Sequence, residues 1–492
     1  MATINGFIDA VWTSDETLVD RGKPDPNTGA ARTENASWSK PDGRNRSFEL
    51  QLITTESDKN GRRCDFFEYY WAHRVTGTTW EQVRAWIFGL MLRNPIANVP
   101  QGVRLAWASM WLAFALFLYV SLVAALATSQ DVINPAAHEL APVYLTLQLA
   151  ASVQAWPKWL IAIVWGAVGL AIGFVLRITV DVAGDVVRYV EARPSNIAIR
   201  QSIRENGVRL IEDLMGLDEH GNAGVTPYDR IIVVGHSLGT IIGYDILTHA
   251  FGRHNTRVDP AKLKGFKQDS RVRMETMIRW NLSAAAEDWS VETFRRLQDE
   301  CRRELNALGN PWIVSDFVSI GSPLTHAEFL LAVDEKTLER AKRKRVLPTC
   351  PPMLEHDRKT GRLHFTYRAP EVRGEGDSHD ETAPRVPHHG AVFAYTRWTN
   401  IYSRPRLLLI GDMVSGPLRG VLGLSRLGRG PICGIEDVAV LPSSEGSPLD
   451  RGSRLLTHLK YWNCEVARVK DSTHIPFHIK ALRRALDLGR MR

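Results

Sequence analysis

A chain of 492 residues with 44% hydrophobic side chains can bury a sizeable core in roughly two to four domains, which excludes a disordered protein. Its net charge of +7 is modest for this length, and the basic residues are dispersed apart from Arg340 to Arg345. That pattern argues for a solvated helical face there and against a nucleic-acid partner. Cys64, Cys301, Cys350, Cys433 and Cys464 are far apart and form no Cys-x-x-Cys pair, so neither a disulfide framework nor a zinc site is expected, and reduced thiols fit best.

No charged segment followed by an apolar run opens the chain, so no cleavable signal peptide is expected. Ala2 to Ile8 reads as a very short apolar strand running into a turn. Asp20 to Arg46 is rich in Pro, Gly, Asn, Asp and Lys and reads as a surface loop. Phe48 to Thr54 alternates and Asp65 to His73 is dense in aromatics, so both read as strands. Trp80 to Met91 has helical spacing. Residues 1–100 are expected to form the amino-terminal part of the main sheet.

From Leu105 to Gln130 no residue is charged. At about 1.5 Å per residue such a run is long enough to cross a bilayer of about 30 Å. A second uncharged run, Trp159 to Leu176, carries Gly166, Gly169 and Gly173, small residues that let membrane helices approach closely. The expectation is a transmembrane hairpin over 101–178, with spans at about 105–128 and 157–177. Arg84, Arg93 and Arg104 precede it, Arg177, Arg188 and Arg193 follow it, and the connecting loop has only Lys158 as a basic residue. By the positive-inside rule both ends face the cytoplasm, making an integral membrane protein with the lipid bilayer as partner. The early strands could then join the later ones in one sheet.

Residues 179–492 are expected to hold the main catalytic part. Asp181 to Glu191 and Ile197 to Leu217 have helical periodicity. Ile231-Ile232-Val233-Val234 then runs into Gly235-His236-Ser237-Leu238-Gly239 and a helix pattern from Ile241 to Leu247. This strand, tight turn and helix is the pattern of a nucleophile elbow, with Ser237 as the nucleophile. Gly235 and Gly239 are expected where a Cβ would collide with its neighbours. The Leu238 N–H, opening the helix, is placed to stabilise an oxyanion. Arg271 to Leu308 suits a helical cap within about 255–310, and 345–392 reads as a long excursion. Further strands are expected at Trp312 to Ile320, Thr399 to Ser403, Arg406 to Gly411 and Ile435 to Leu441. Alternating strands and helices predict an α/β fold, a mostly parallel sheet with helices on both faces, interrupted by the transmembrane hairpin.

A serine hydroxyl needs an imidazole to take its proton and a carboxylate to orient that imidazole. Asp412, before a glycine-containing loop after the apolar Leu407 to Ile410, is the expected acid. Asp316 is the runner-up, although it lies within its strand, and Asp437 is a third. His458, which follows the last strand by a loop, is the expected base, with His474 as its rival. His388-His389-Gly390 lacks further ligands at metal spacing and reads as a turn. His236 reads as packing inside the elbow, and His326 is left unassigned. No cofactor or metal is expected.

Gly235-His236-Ser237-Leu238-Gly239 resembles the Gly-His-Ser-Leu-Gly elbow of lipases and esterases in the α/β-hydrolase superfamily. The resemblance implies an acyl-enzyme mechanism and hydrolysis of carboxylic esters, lipid esters among them. It also implies a second oxyanion donor in a loop after an early strand, for which Asn5-Gly6-Phe7 is the candidate through the Phe7 N–H, in place of the usual His-Gly. Two alternatives stand beside it: a membrane scaffold or regulatory protein with weak or no catalysis, and an acyltransferase or thioesterase using the same three residues.

Overall fold

A computed structural model describes residues 2–22, 24, 29, 32–41, 51–74, 104–127, 140–166, 169–170, 189–190, 194–218, 224, 226–263, 265–283, 289–369, 384–404, 411–412, 414–426, 429–442, 457–463 and 475–490. The expected helices at Trp80 to Met91 and Asp181 to Glu191, nearly all of the expected strand at Arg406 to Gly411, and His474 fall outside these residues or almost so. The chain divides into two compact units, one of Met1–Arg74 with Arg193–Arg492 and the other of Val75–Ala192.

The first unit opens with helix α1 (Ala2–Ile8), which continues as a π-helical turn over Asp9–Thr13. The expected strand is therefore a helix. Ile4, Phe7 and Ile8 stand at i, i+3 and i+4, the spacing of one helix face, and that face packs with Trp12, Leu18 and Val19. Strands β1 (Ser37–Pro41), β2 (Gln51–Thr55) and β3 (Asp65–Phe67) follow. They pair antiparallel with one another in a sheet of their own instead of extending the parallel sheet.

In the second unit, helices α2 (Arg104–Ala127) and α3 (Ala141–Gln154) pack on each other. Thr146 Oγ1 donates to Pro142 O at 2.7 Å and lies 3.4 Å from Tyr119 Oη. Among the described residues no helix is long and apolar enough to cross a membrane. This overturns the expected transmembrane hairpin and, with it, the two-span integral-membrane placement facing the cytoplasm. Helix α3 ends at Gln154, before the expected second span, and Pro157 begins a new turn.

Back in the first unit, α4 (Pro194–Leu214) leads to β4 (Ile231–His236) and α5 (Leu238–His254). Helices α6 (Asp269–Leu282) and α7 (Val291–Ala307) precede β5 (Val314–Ile320). Strands β6 (Arg397–Tyr402) and β7 (Glu436–Ala439) and helix α8 (Phe477–Leu486) complete the core. The four strands lie side by side in chain order, β4-β5-β6-β7, and every pair is parallel.

Parallel strands covered on both faces read as continuous apolar runs, and the packing follows that rule. Val233 and Phe317 face α5, where they meet Gly243. Ile232, Val318, Ile320 and Ile401 face the other way, against Ile479 and Leu482 of α8. All seven residues of β5 are buried, and its polar side chains are partnered. Ser319 Oγ donates to Asn400 Oδ1 at 3.0 Å and accepts from Trp398 Nε1 at 2.9 Å. Among the described residues β4 and β7 are the edge strands of this sheet, and Val234 on β4 is 37% exposed.

Candidate active site

Because the sheet is parallel, the carboxyl ends of β4 to β7 open on one side, and the loops that leave them meet there. Ser237 follows β4 at φ 51° and ψ −127°, a backbone conformation that an L-residue adopts only under constraint. A strained residue of this kind costs about 1–3 kcal/mol and clusters at functional sites. Gly235 makes the turn possible, since a Cβ there would lie 2.6 Å from the Gly239 carbonyl oxygen. Gly239 differs from expectation: a Cβ on it would meet open space, so sterics do not require glycine at that position. The Ser237 N–H donates to Ile320 O at 3.0 Å, fixing the turn to β5. Its side chain makes no capping hydrogen bond to α5, which leaves the hydroxyl available for chemistry. The Leu238 N–H opens α5, where amides lack intrahelical partners.

Asp412 and His458 are brought together. The His458 Nδ1–H donates to Asp412 Oδ2 at 2.9 Å. Facing a carboxylate, Nδ1 carries the proton and Nε2 is left as the basic nitrogen. Tyr461 Oη donates to the same Oδ2 at 2.7 Å, and the Val414 N–H donates to Oδ1 at 2.9 Å. Burial pushes the Asp412 carboxyl up, but the hydrogen bond and charge of His458 and the hydrogen bond from Tyr461 hold the group below its ordinary value. It is therefore a carboxylate although its side chain is wholly buried.

The histidine turn is tied to the elbow. The His236 Nε2–H donates to the His458 carbonyl at 2.9 Å, and the two rings lie 4.9 Å apart. Burial, and then the neighbouring His458, push His236 down to about 4, so its ring is neutral. No hydrogen bond among the described residues joins Ser237 Oγ to the His458 ring. Such contacts are often long until substrate is bound.

The runner-up acids have structural work. Asp316 lies inside β5, where it accepts from Ser315 Oγ at 2.6 Å and pairs with Arg397 Nη2 at 2.6 Å. Asp437 accepts from Asn400 Nδ2 at 2.7 Å and from the Leu418 and Arg419 amides, both at 3.0 Å. Phe7 does not supply a loop amide. It lies in α1 beyond the four opening N–H groups, so its amide belongs to the helix ladder. Its ring packs edge-on against Trp462 at 6.3 Å. His388 donates through Nε2 to Met353 O at 2.8 Å and accepts from the Gly390 N–H at 3.1 Å, the work of a turn. Among the described residues no group of three His, Cys, Asp or Glu is placed to hold a metal ion.

Sequence reasoning missed two contributors. Tyr461 stands three residues after His458, just beyond the 3₁₀ turn Thr457–Leu459, and carries no motif of its own. Gly321 ends β5 at φ 59°, and a Cβ on it would lie 2.9 Å from the Tyr461 ring and 3.2 Å from the His458 ring. The signal available was Gly321-Ser322-Pro323 at the end of an apolar strand. A cavity of about 1460 Å³ runs along the outer edge of β4 and reaches Gly235, His236 and Gly239, but its lining includes neither Ser237 nor His458.

Comparisons with protein-family models, with curated proteins and with solved structures find no match for this chain.

Gly235→Ala should prevent folding or destabilise by several kcal/mol, whereas Gly239→Ala, within a helix, should be neutral or stabilise by about 0.5–1 kcal/mol. Urea titration of the two variants checks the difference. A second outcome concerns acid. His236 is neutral in the folded chain down to about pH 4, while the unfolded chain takes up that proton near 6.5. The contribution is fully present above about pH 6.5 and is lost as pH falls toward 4, with a slope of up to about 1.4 kcal/mol per pH unit. His236→Asn should flatten that limb of a stability-against-pH curve.

Proposed function

We propose that this chain is a serine hydrolase of the α/β-hydrolase type that cleaves carboxylic esters. The observation that carries the reading is the buried Asp412–His458 hydrogen bond at 2.9 Å, on loops after β6 and β7, with a strained serine after β4. That is the chain order serine, acid, histidine at the carboxyl ends of successive parallel strands. In the proposed mechanism His458 Nε2 takes the Ser237 proton as Oγ attacks the ester carbonyl. The Leu238 N–H stabilises the resulting oxyanion, and the alcohol leaves with the proton from His458. Water activated by the same nitrogen then hydrolyses the acyl-enzyme.

A second reading, a hydrolase fold with weak or no catalysis, is favoured by one observation: the Phe7 amide is part of a helix and does not supply a second oxyanion donor. Loss of one such donor costs about 10²–10³ in rate. An acyltransferase or thioesterase would use the same residues and is separated by product analysis with added alcohol or with thioesters.

Lipid esters are the substrate class we favour. Leu112, Leu116, Leu118 and Leu122 on α2 and Leu145 and Leu149 on α3 are all exposed. Apolar surface of this extent marks interaction sites and suits contact with a lipid surface, without any crossing of a bilayer.

A fluorophosphonate probe should label the folded wild-type chain and fail to label Ser237→Ala, with labelling slowed by about 10⁴ in Asp412→Asn. Absent labelling of well-folded wild-type protein would hand the case to the second reading. On flotation with phospholipid vesicles the protein should rise with the lipid, and replacing Leu112, Leu116 and Leu122 by Ser should leave it in the dense fraction.

A further inference from the structure

We infer that Tyr461 is a positioning residue of the candidate active site: its hydroxyl shares one oxygen of Asp412 with His458, and so fixes the carboxylate that sets the basicity of the histidine. The inference rests on the hydrolase reading above and deepens it. Tyr461 is 2% exposed and its hydroxyl has a full set of partners. It donates to Asp412 Oδ2 at 2.7 Å. With its one proton so used, it accepts from the Ser403 N–H at 2.9 Å and from Ser415 Oγ–H at 3.0 Å. Burial keeps this hydroxyl protonated at every ordinary pH, so it is a permanent donor to the carboxylate.

The four groups join three separate stretches. Ser403 follows β6, Ser415 and Asp412 lie further along the chain before β7, and His458 and Tyr461 follow β7, His458 in the 3₁₀ turn Thr457–Leu459 and Tyr461 two residues beyond its end. The imidazole and the phenol reach the same oxygen, Asp412 Oδ2, at 2.9 and 2.7 Å. Behind them Gly321 leaves no room for a side chain. The ring therefore cannot retreat, and the carboxylate is held where Nδ1 needs it.

The physical consequence concerns proton affinity. A carboxylate that accepts from a phenol as well as from an imidazole has its charge drawn in two directions, so it stabilises imidazolium less than an unshared carboxylate would. Removing the phenol proton leaves Asp412 more basic and raises the affinity of His458 for its proton. The groups that face His458 in this setting are Asp412, Tyr461 through Asp412, and the ring of His236. His236 is neutral above about pH 4 and does not change charge where the shift is read.

The test is Tyr461→Phe in the full chain, with short acyl esters as substrates and with ¹⁵N NMR of the His458 ring as a readout that needs no turnover. The expected result is a kcat/KM lower by about tenfold at neutral pH. The acid limb of the profile should move to higher pH, matched by the His458 titration midpoint. In an Asp412→Asn background the same substitution should have almost no further effect, since its influence runs through Asp412. If Tyr461→Phe folds poorly, ring-fluorinated tyrosine at 461 keeps the shape, strengthens donation and should move both readings to lower pH. A profile and a midpoint that coincide with wild type, or an undiminished effect in Asp412→Asn, would overturn the inference and leave Tyr461 a packing residue. Ser237→Ala that still hydrolyses esters at the wild-type rate would instead overturn the hydrolase reading, which separates the two failures.

Discussion

Parallel pairing is the constraint from which the rest follows. Four strands running the same way, in chain order, place the ends of β4, β6 and β7 on one side of the sheet. Asp412 and His458 meet there, and His236, the neighbour of Ser237, touches His458, although long stretches of chain separate them. The pairing in turn depends on β5, whose seven residues are all buried and whose two faces are covered by α5 and α8. Burial on both faces demands apolar side chains, and the polar ones that remain, Ser315, Asp316 and Ser319, are held by partners on β5 and β6.

The site itself is a balance between desolvation and hydrogen bonding. An ionised carboxylate taken out of water is unfavourable unless donors replace the lost hydration. At Asp412 they do so from three sides, through a ring N–H, a phenol and a backbone amide. Asp316 and Asp437 are buried or nearly so and are also supplied with donors, but theirs come from neighbouring strands and amides, with no imidazole among them. Burial therefore does not distinguish the candidate acid from its neighbours. The identity of the donor does.

The parallel core was legible because its strands are apolar on both faces: Ile231 to Val234, Val314 to Ile320 and Arg397 to Tyr402 fall where the pattern places them. The pairing of Asp412 with His458 was legible through chain order alone. Other features were hidden for physical reasons. Ala2 to Ile8 is so short that its apolar residues fit a strand or a helix face equally, and only packing with Trp12 and Leu18 decides. Gly239 looked obligatory because it completes a motif, yet the space beside it is open. Tyr461 carries no motif, and its hydrogen bond to Asp412 joins residues 49 apart in the chain, which the sequence does not announce.

The link from His236 to the carbonyl of His458 has a mechanical meaning. It ties the residue before the serine to the backbone of the imidazole that the serine would use. The spacing of Ser237 and His458 is thus set by a clamp one residue away.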